Sequence, residues 1–152
     1  MTDELFRDDA TLLQCSATLT GVSEAGLTLD RTVFYPQGGG QAGDTGRLLR
    51  ADGASLVITD TRKGAEPGQI LHLVAPGTDL SGWAAGQAVT AHIDADRRMA
   101  HRRFHTATHL LCALVPHPVD GCSITAGYAR LDFHMTEPLD KDALTAGIAR
   151  LV

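Results

Sequence analysis

Two histidines separated by three residues are the first feature of this chain whose types and spacing could do chemistry. His105 and His109 precede an apolar helical run, and on a helix residues four apart share one face, close enough to bind a single metal ion. Thr106 follows His105 where a metalloprotease needs a glutamate base, so a protease is disfavoured. Before the surrounding residues are considered, a metal site and a core or capping role fit the pair about equally well.

Other polar side chains flank this pair. His101 lies four residues before His105 and fits either a substrate contact or a solvent-exposed helix face. A cluster of arginines also precedes the pair, and such a run is most often a solvated helix face. On a chain with a formal net charge of −5, however, a local basic cluster also fits a negatively charged partner held in one pose. The cluster consists of Arg97, Arg98, Arg102 and Arg103.

Three consecutive glycines form a second candidate site. Gly38, Gly39 and Gly40 precede Gln41 in a segment that matches neither the GxGxxG nor the GxxxxGK[ST] phosphate-binding pattern. Glycine lets the backbone approach a ligand closely and exposes its N–H donors. By composition alone, a hairpin turn without a ligand is roughly twice as probable.

The predicted secondary structure changes near Asp94, from strands to a helix that carries the histidine pair. Before it, short β-forming segments alternate with turn signals, which predicts an all-β barrel or sandwich over residues 1–93. After it, Asp94 or Asp96 is predicted to cap a helix that ends near Val115. Residues 124–133 have strand character, and a further helix is predicted from residue 139 with Asp140 as its cap. We therefore predict one domain over residues 1–93 and a second over 94–152.

Length and composition place the chain in a broad class. Its 152 residues suit one domain or two small ones, and no apolar run reaches the length of a membrane span. The acidic N-terminus does not resemble a signal peptide. Three cysteines without CxxC spacing indicate reduced thiols. We expect a cytoplasmic protein with no membrane partner.

Three segments in order resemble the alanyl-tRNA editing family, which comprises the editing domain of alanyl-tRNA synthetase and its free-standing AlaX-type relatives. Residues 34–46, FYPQGGGQAGDTG, resemble the family's FYPxGGGQxxDxG element. Residues 96–111, which end in HTATHLL, resemble its DxxRR…HTAxHLL element, and residues 127–133, which end in RLDF, are similar to the strand that follows. The resemblance covers most of the chain, and the joint occurrence of the three segments is highly specific.

The resemblance implies an α+β fold, with a small N-terminal β-barrel followed by an α+β editing domain. It also implies a zinc-dependent aminoacyl-tRNA deacylase that hydrolyses mischarged tRNA(Ala), chiefly seryl-tRNA(Ala) and also glycyl-tRNA(Ala). His105 and His109 would be Zn²⁺ ligands, and Thr106 would recognise a serine side chain. Gln41 and the N–H groups of residues 38–40 would lie against the aminoacyl end, and the arginine cluster would contact the tRNA.

The chain departs from the family pattern at its C-terminal end. In the family the remaining zinc ligands come from a Cys-x-x-x-His element after the helix that begins near Leu139, and no such element occurs in these residues. The resemblance is therefore to an editing domain without its C-terminal part. An exposed apolar face on helix 140–152 predicts a homodimer or association with that missing segment. The alternative function is a non-catalytic tRNA-binding module, a degenerate relative without a complete metal site.

Overall fold

The computed structural model describes all 152 residues and divides them into two compact units. The first unit comprises Met1–Gly38 and Gly43–Arg98, and the second comprises Gly39–Ala42 and Met99–Val152. The division therefore falls inside a helix, four residues after Asp94, where the sequence pattern changes. It also assigns part of the glycine-rich segment to the second unit.

Strands form most of the first unit, which also contains the single helical turn α1. In chain order its elements are β1 (Asp3–Glu4), α1 (Leu5–Asp8), β2 (Gln14–Ser23), β3 (Gly26–Leu29), β4 (Arg31–Thr32), β5 (Gly46–Leu49), β6 (Ser55–Ile58), β7 (Asp60–Lys63), β8 (Ile70–Leu73) and β9 (Ala88–Ile93). Seven of these strands form one antiparallel sheet in the order β6-β5-β9-β2-β3-β8-β7, and β1 pairs with β4 in parallel.

The predicted strand-rich half is confirmed, but the predicted barrel is not supported. The two end strands of the sheet, β6 and β7, are separated only by Thr59 and follow each other along one stretch of chain. No hydrogen-bonded pairing joins β6 to β7, so the strand order has two ends and no closed barrel is found. The fold class is α+β with a mostly antiparallel open sheet.

Alternation along the strands builds the core of this unit. Leucines and isoleucines at every second position of β2, β3, β5 and β6 are almost completely buried, because successive side chains of a strand point to opposite faces. Val33 and Phe34, which directly follow β4, have no exposed surface. The core therefore extends to the start of the glycine-rich segment and fixes the chain as it enters that segment.

His72 is a completely buried histidine in this core. Its Nδ1 donates to the Leu27 carbonyl at 3.1 Å, and its Nε2 accepts from the Thr32 hydroxyl at 2.8 Å. The Phe34 ring stands edge-on at 5.1 Å between ring centroids. These contacts satisfy both ring nitrogens of the neutral imidazole, and burial lowers the pKa of His72 to about 4.

Mild acid is therefore expected to destabilise the first unit through His72. In the unfolded chain this imidazole binds a proton near its ordinary pKa of 6.5, whereas in the folded chain it does so only near 4. The contribution of neutral His72 is thus complete above pH 6.5 and is lost as the pH falls to 4, by up to about 3 kcal/mol. Urea unfolding of wild type and His72→Gln across this range should show the extra pH dependence only in the wild type. Parallel pH profiles would contradict this.

The second unit contains two helices and a hairpin. Its elements are α2 (Ala95–Leu114, which begins in the first unit), β10 (Val119–Ile124), β11 (Ala129–Phe133) and α3 (Lys141–Leu151). Both helix caps predicted from sequence are confirmed: the Asp94 carboxylate accepts from the Arg97 N–H, and the Asp140 carboxylate accepts from the N–H groups of Asp142 and Ala143. The strand β10 was not predicted. No helix has the length and hydropathy of a membrane-spanning segment.

Small-residue packing joins the two helices of this unit. Gly147 of α3 is buried, and a Cβ added to it would lie 2.7 Å from a Leu114 methyl carbon of α2. Beside this contact, an open cleft of about 450 Å³ is lined by apolar side chains, including Leu111, Leu144 and Ile148. The predicted apolar exposure of this helix is thus reduced by α2, although Leu151 remains 49% exposed. Dimer formation stays a prediction.

Candidate functional site

Helix α2 carries the histidine pair on one face. The two rings are nearly parallel, with an interplanar angle of 9° and 5.1 Å between the centroids of His105 and His109. His105 is partly buried and His109 is exposed. Burial, and next the nearby His109, lowers the pKa of His105, so its imidazole is neutral at physiological pH. A neutral imidazole has one nitrogen lone pair available as a ligand or base.

Gln41 contacts His105 directly. Its side-chain oxygen Oε1 lies 2.8 Å from the Nδ1 atom of His105, although 64 residues separate the two in sequence. Gln41 is only 5% exposed. The resemblance implies that both residues belong to one site, and the structure places them in hydrogen-bonding contact within the second unit.

The backbone around Gln41 is attached to the edge of the hairpin. The Ile124 N–H donates to the Gly40 carbonyl at 2.8 Å, and the Ala42 N–H donates to the Ile124 carbonyl at 2.9 Å. Gln41 and Ile124 thus form a parallel bridge next to β10. Two residues of the glycine-rich segment, Gly39 and Gly40, therefore belong to the same unit as the histidine helix.

Glycine is required at position 40 for two reasons. Its φ of +81° lies in the left-handed region, which residues with a side chain rarely adopt. A Cβ there would also lie 2.8 Å from both the Cβ and the Sγ of Cys122. Gly39 has a φ of +58° and is exposed. The triplet is thus a close backbone approach to β10, which the sequence could not distinguish from a simple turn.

Gly38, the first residue of the triplet, lies in the first unit. Its carbonyl accepts a hydrogen bond from the Tyr35 hydroxyl at 3.2 Å. The preceding Gln37 is exposed and attached through its backbone N–H, which donates to the Thr61 carbonyl at 2.8 Å. The two glutamines that flank the triplet therefore differ: the side chain of Gln37 faces solvent, and that of Gln41 is buried.

The donor atoms present fit part of a zinc site. Because the Nδ1 of His105 faces an amide oxygen, its Nε2 is the nitrogen left to bind a metal, an arrangement that metal-binding histidines commonly show. His109 adds a second imidazole. Burial, followed by the charges of Cys112 and Asp132, raises the pKa of Cys122, which keeps this thiol protonated. No group of three His, Cys, Asp or Glu residues is arranged to hold a metal, whereas zinc sites use at least three protein ligands.

Two threonines near His105 have different surroundings. Thr106, predicted to recognise a serine side chain, is exposed next to His105. Thr108 is buried, and its hydroxyl donates to the His105 carbonyl at 2.7 Å. Thr106 therefore faces solvent, where it can meet a ligand, and the Thr108 hydroxyl is used by the backbone at the histidine.

The four clustered arginines occupy three kinds of environment. Arg102 and Arg103 are exposed on α2. The guanidinium of Arg97 donates to the Gly43 carbonyl, with N–O distances of 3.3 and 3.4 Å. Arg98 is 4% exposed, and its guanidinium binds the buried Asp44 carboxylate. A contact with tRNA, as predicted for Arg98, does not fit this position, because its guanidinium is buried and paired with Asp44 inside the first unit.

His101 does not lie on a solvent-exposed helix face, contrary to one of the two predicted roles. It has no exposed surface in the structure, whereas His109 at the far end of the same stripe is exposed. The i, i+4 pattern does predict a common face for these histidines, but the solvent exposure of that face increases along the helix from His101 to His109.

Comparison with known proteins shows that the chain is similar to alanyl-tRNA editing proteins and to alanine–tRNA ligases. The family described as class II (A) tRNA synthetases matches residues 7–97. Alanyl-tRNA editing protein AlaX-M of Methanosarcina barkeri is 36% identical over 148 residues, which cover 93% of this chain and 60% of that protein. AlaX-M of Methanosarcina mazei is 39% identical over 136 residues, covering 87% of this chain and 53% of that protein.

A longer relative shares a smaller region. Alanine–tRNA ligase of Methanothrix thermoacetophila is 45% identical over 95 residues, which cover 62% of this chain and 10% of the ligase. The chain thus spans between half and two thirds of the length of the two AlaX-M proteins and a small part of the ligase. The alignment to M. barkeri AlaX-M is long enough to include both the glycine-rich segment and the histidine helix.

Proposed function

Because the chain belongs to the alanyl-tRNA editing family, shown by its class II (A) tRNA synthetase match and its AlaX-M relatives, we propose that it hydrolyses wrongly charged tRNA(Ala). The observation that carries this proposal is the contact between Gln41 and His105. It joins the glycine-rich segment and the histidine helix, the two most specific parts of the sequence resemblance. The exposed His109 and Thr106 lie next to that contact on α2.

Seryl-tRNA(Ala) is the proposed main substrate, and glycyl-tRNA(Ala) a second one. A pocket that accepts alanine cannot strongly reject an amino acid that only adds a hydroxyl, so a separate hydrolytic site must remove the error. The exposed hydroxyl of Thr106 would donate to or accept from the serine side chain. The exposed Gly39 and Gly40 would present their backbone N–H groups to the aminoacyl ester.

Zn²⁺ is the proposed cofactor, with His105 and His109 as two of its ligands. When bound, zinc polarises an ester carbonyl and lowers the pKa of water. Gln41 would keep the His105 ring oriented, and Thr108 would hold the helix backbone below it. The exposed Arg102 and Arg103 would bind phosphates of the tRNA, since guanidinium groups bind phosphate oxygens well. Arg98 would act within the protein.

Loss of His105 is expected to reduce deacylation of seryl-tRNA(Ala) at least about 100-fold, because even residues that only support a metal ligand contribute 10- to 100-fold. The measurement is release of [¹⁴C]serine by wild type and His105→Ala, each with and without a strong chelator. His117→Ala is the matched control, since His117 is exposed and belongs to the same unit. Equal rates for wild type and His105→Ala would refute the proposal, and chelator-resistant hydrolysis would refute the role of zinc.

A tRNA-binding module without hydrolytic activity is the second candidate. The observation that favours it is the donor set, which stops at two histidines. In that case the chain would bind tRNA(Ala) through Arg102 and Arg103 and leave the ester intact. The same assay, combined with filter binding of the tRNA, separates the two candidates.

A further inference from the structure

We infer that Gln41 is a positioning residue that holds His105 as its Nδ1–H tautomer and leaves Nε2 as the nitrogen that can bind a ligand. This role differs from the substrate contact that the sequence resemblance implies for Gln41. It rests on the proposed function only where it concerns zinc, because the tautomer itself is a property of the protein alone.

The hydrogen-bonding atoms determine the tautomer. The Oε1 atom of Gln41 lies 2.8 Å from Nδ1 of His105, and an amide oxygen can only accept. Nδ1 must therefore donate, and a neutral imidazole carries one N–H only. The lone pair is consequently on Nε2, at the opposite side of the ring.

The backbone allows Gln41 little freedom to release this contact. Hydrogen bonds to Ile124 hold the Gly40 carbonyl on one side of Gln41 and the Ala42 N–H on the other. Ile124 is 1% exposed, so this anchor lies in the interior of the unit. A Cβ added at Gly40 would lie 2.8 Å from Cys122, so there is little room between this backbone and β10. When the backbone is held on both sides of a residue, its side chain can orient a partner at little entropic cost.

Burial argues against direct contact between Gln41 and substrate. Its side chain is 5% exposed and its oxygen is already used by His105. His105 is held at its other end as well, since the Thr108 hydroxyl donates to its carbonyl. The ring of His105 is thus hydrogen-bonded to Gln41 of the glycine-rich segment, and its backbone carbonyl is hydrogen-bonded to Thr108 of its own helix. Gln41 therefore acts through His105.

Long-range ¹H–¹⁵N correlation spectra of the ¹⁵N-histidine-labelled chain test this directly. At about pH 8, where histidines are neutral, His105 of the wild type should show the Nδ1–H pattern. Gln41→Met preserves the length of the side chain without its acceptor and should abolish that preference. Gln41→Glu retains an acceptor and should preserve it. Gln37→Ala, an exposed glutamine of the same segment, should leave the His105 signals unchanged.

Zinc affinity provides a second readout. In competition with a chromophoric chelator, Gln41→Met should bind zinc 10- to 100-fold more weakly than wild type, and Gln37→Ala should bind as wild type does. An Nε2–H tautomer in the wild type, or an Nδ1–H tautomer that persists in Gln41→Met, overturns the inference. A wild type that binds no zinc refutes the zinc part of the proposed function, while the tautomer spectra still decide the role of Gln41.

Discussion

Replacing Arg98 with methionine is expected to lower the free energy of unfolding of the first unit by about 3–5 kcal/mol. The Asp44 carboxylate is 1% exposed, and the Nε atom of Arg98 lies 2.9 Å from its Oδ2. Methionine retains the apolar stem but removes the charge, so the carboxylate is left inside the protein without its cation. The variant also loses the donation from Arg98 to the Val33 carbonyl at 2.6 Å.

Urea unfolding followed by tryptophan fluorescence measures this effect. Trp83 is the only tryptophan and lies in the first unit, so its emission reports on that unit. Arg102→Met is the matched control: the same substitution on an exposed position of the same helix should change stability by less than about 0.5 kcal/mol. Adding Asp44→Asn to Arg98→Met should recover part of the loss, because the buried charge is then removed. Equal stabilities of Arg98→Met and Arg102→Met would contradict this interpretation.

Substitution of Gly40 with alanine is expected to destabilise the second unit by about 2–6 kcal/mol. The left-handed φ of +81° contributes about 1–3 kcal/mol of this and overpacking against Cys122 about 1–3 kcal/mol more. Because Gly40 adjoins Gln41, the contact with His105 should be lost together with stability. Amide hydrogen exchange of β10 and β11 measures the change within that unit.

Two other glycines separate the causes. Gly53 has a φ of +88° and nothing within 4 Å of an added Cβ, so Gly53→Ala measures the backbone strain alone. Gly127 lies in the same unit as Gly40, has an ordinary φ and also has open space around it. Gly127→Ala should therefore be nearly neutral. If Gly40→Ala cost no more than Gly53→Ala, the close approach to Cys122 would not be real.

Local signals in the sequence predicted those elements that local interactions determine. Asp94 and Asp140 accept from N–H groups two or three residues away, so their capping roles can be read from neighbouring residues alone. Strand β10, in contrast, contains Asp120 and Gly121, which disfavour strands. It forms because β11 pairs with it from Val119 to Ile124, with one irregularity at Asp120. Tertiary pairing here overrides weak propensity.

The contacts within the candidate site could not be predicted from the sequence. The resemblance named both Gln41 and His105, yet their hydrogen bond depends on the bridge between Gln41 and Ile124, which no local pattern encodes. The arginine cluster shows the same limit. Arg98 and Arg102 are the same residue type in the same cluster, so the sequence does not distinguish them. Arg98 is an internal cation because the buried Asp44 pairs with it, whereas Arg102 is a surface group. Sheet closure likewise depends on how strands pair, not on where they occur.

The assignment of Gly39–Ala42 to the second unit has a consequence for synthesis on the ribosome. These residues are translated before their partner Ile124, which follows Ala42 by 82 positions in the chain. At about 5–20 residues per second, that interval lasts roughly 4–16 seconds. During this time the first unit can assemble its sheet, whereas the segment with Gln41 has no hairpin edge to join. Nascent chains stalled between these positions should therefore expose this segment to proteases, and chains extended beyond β11 should protect it.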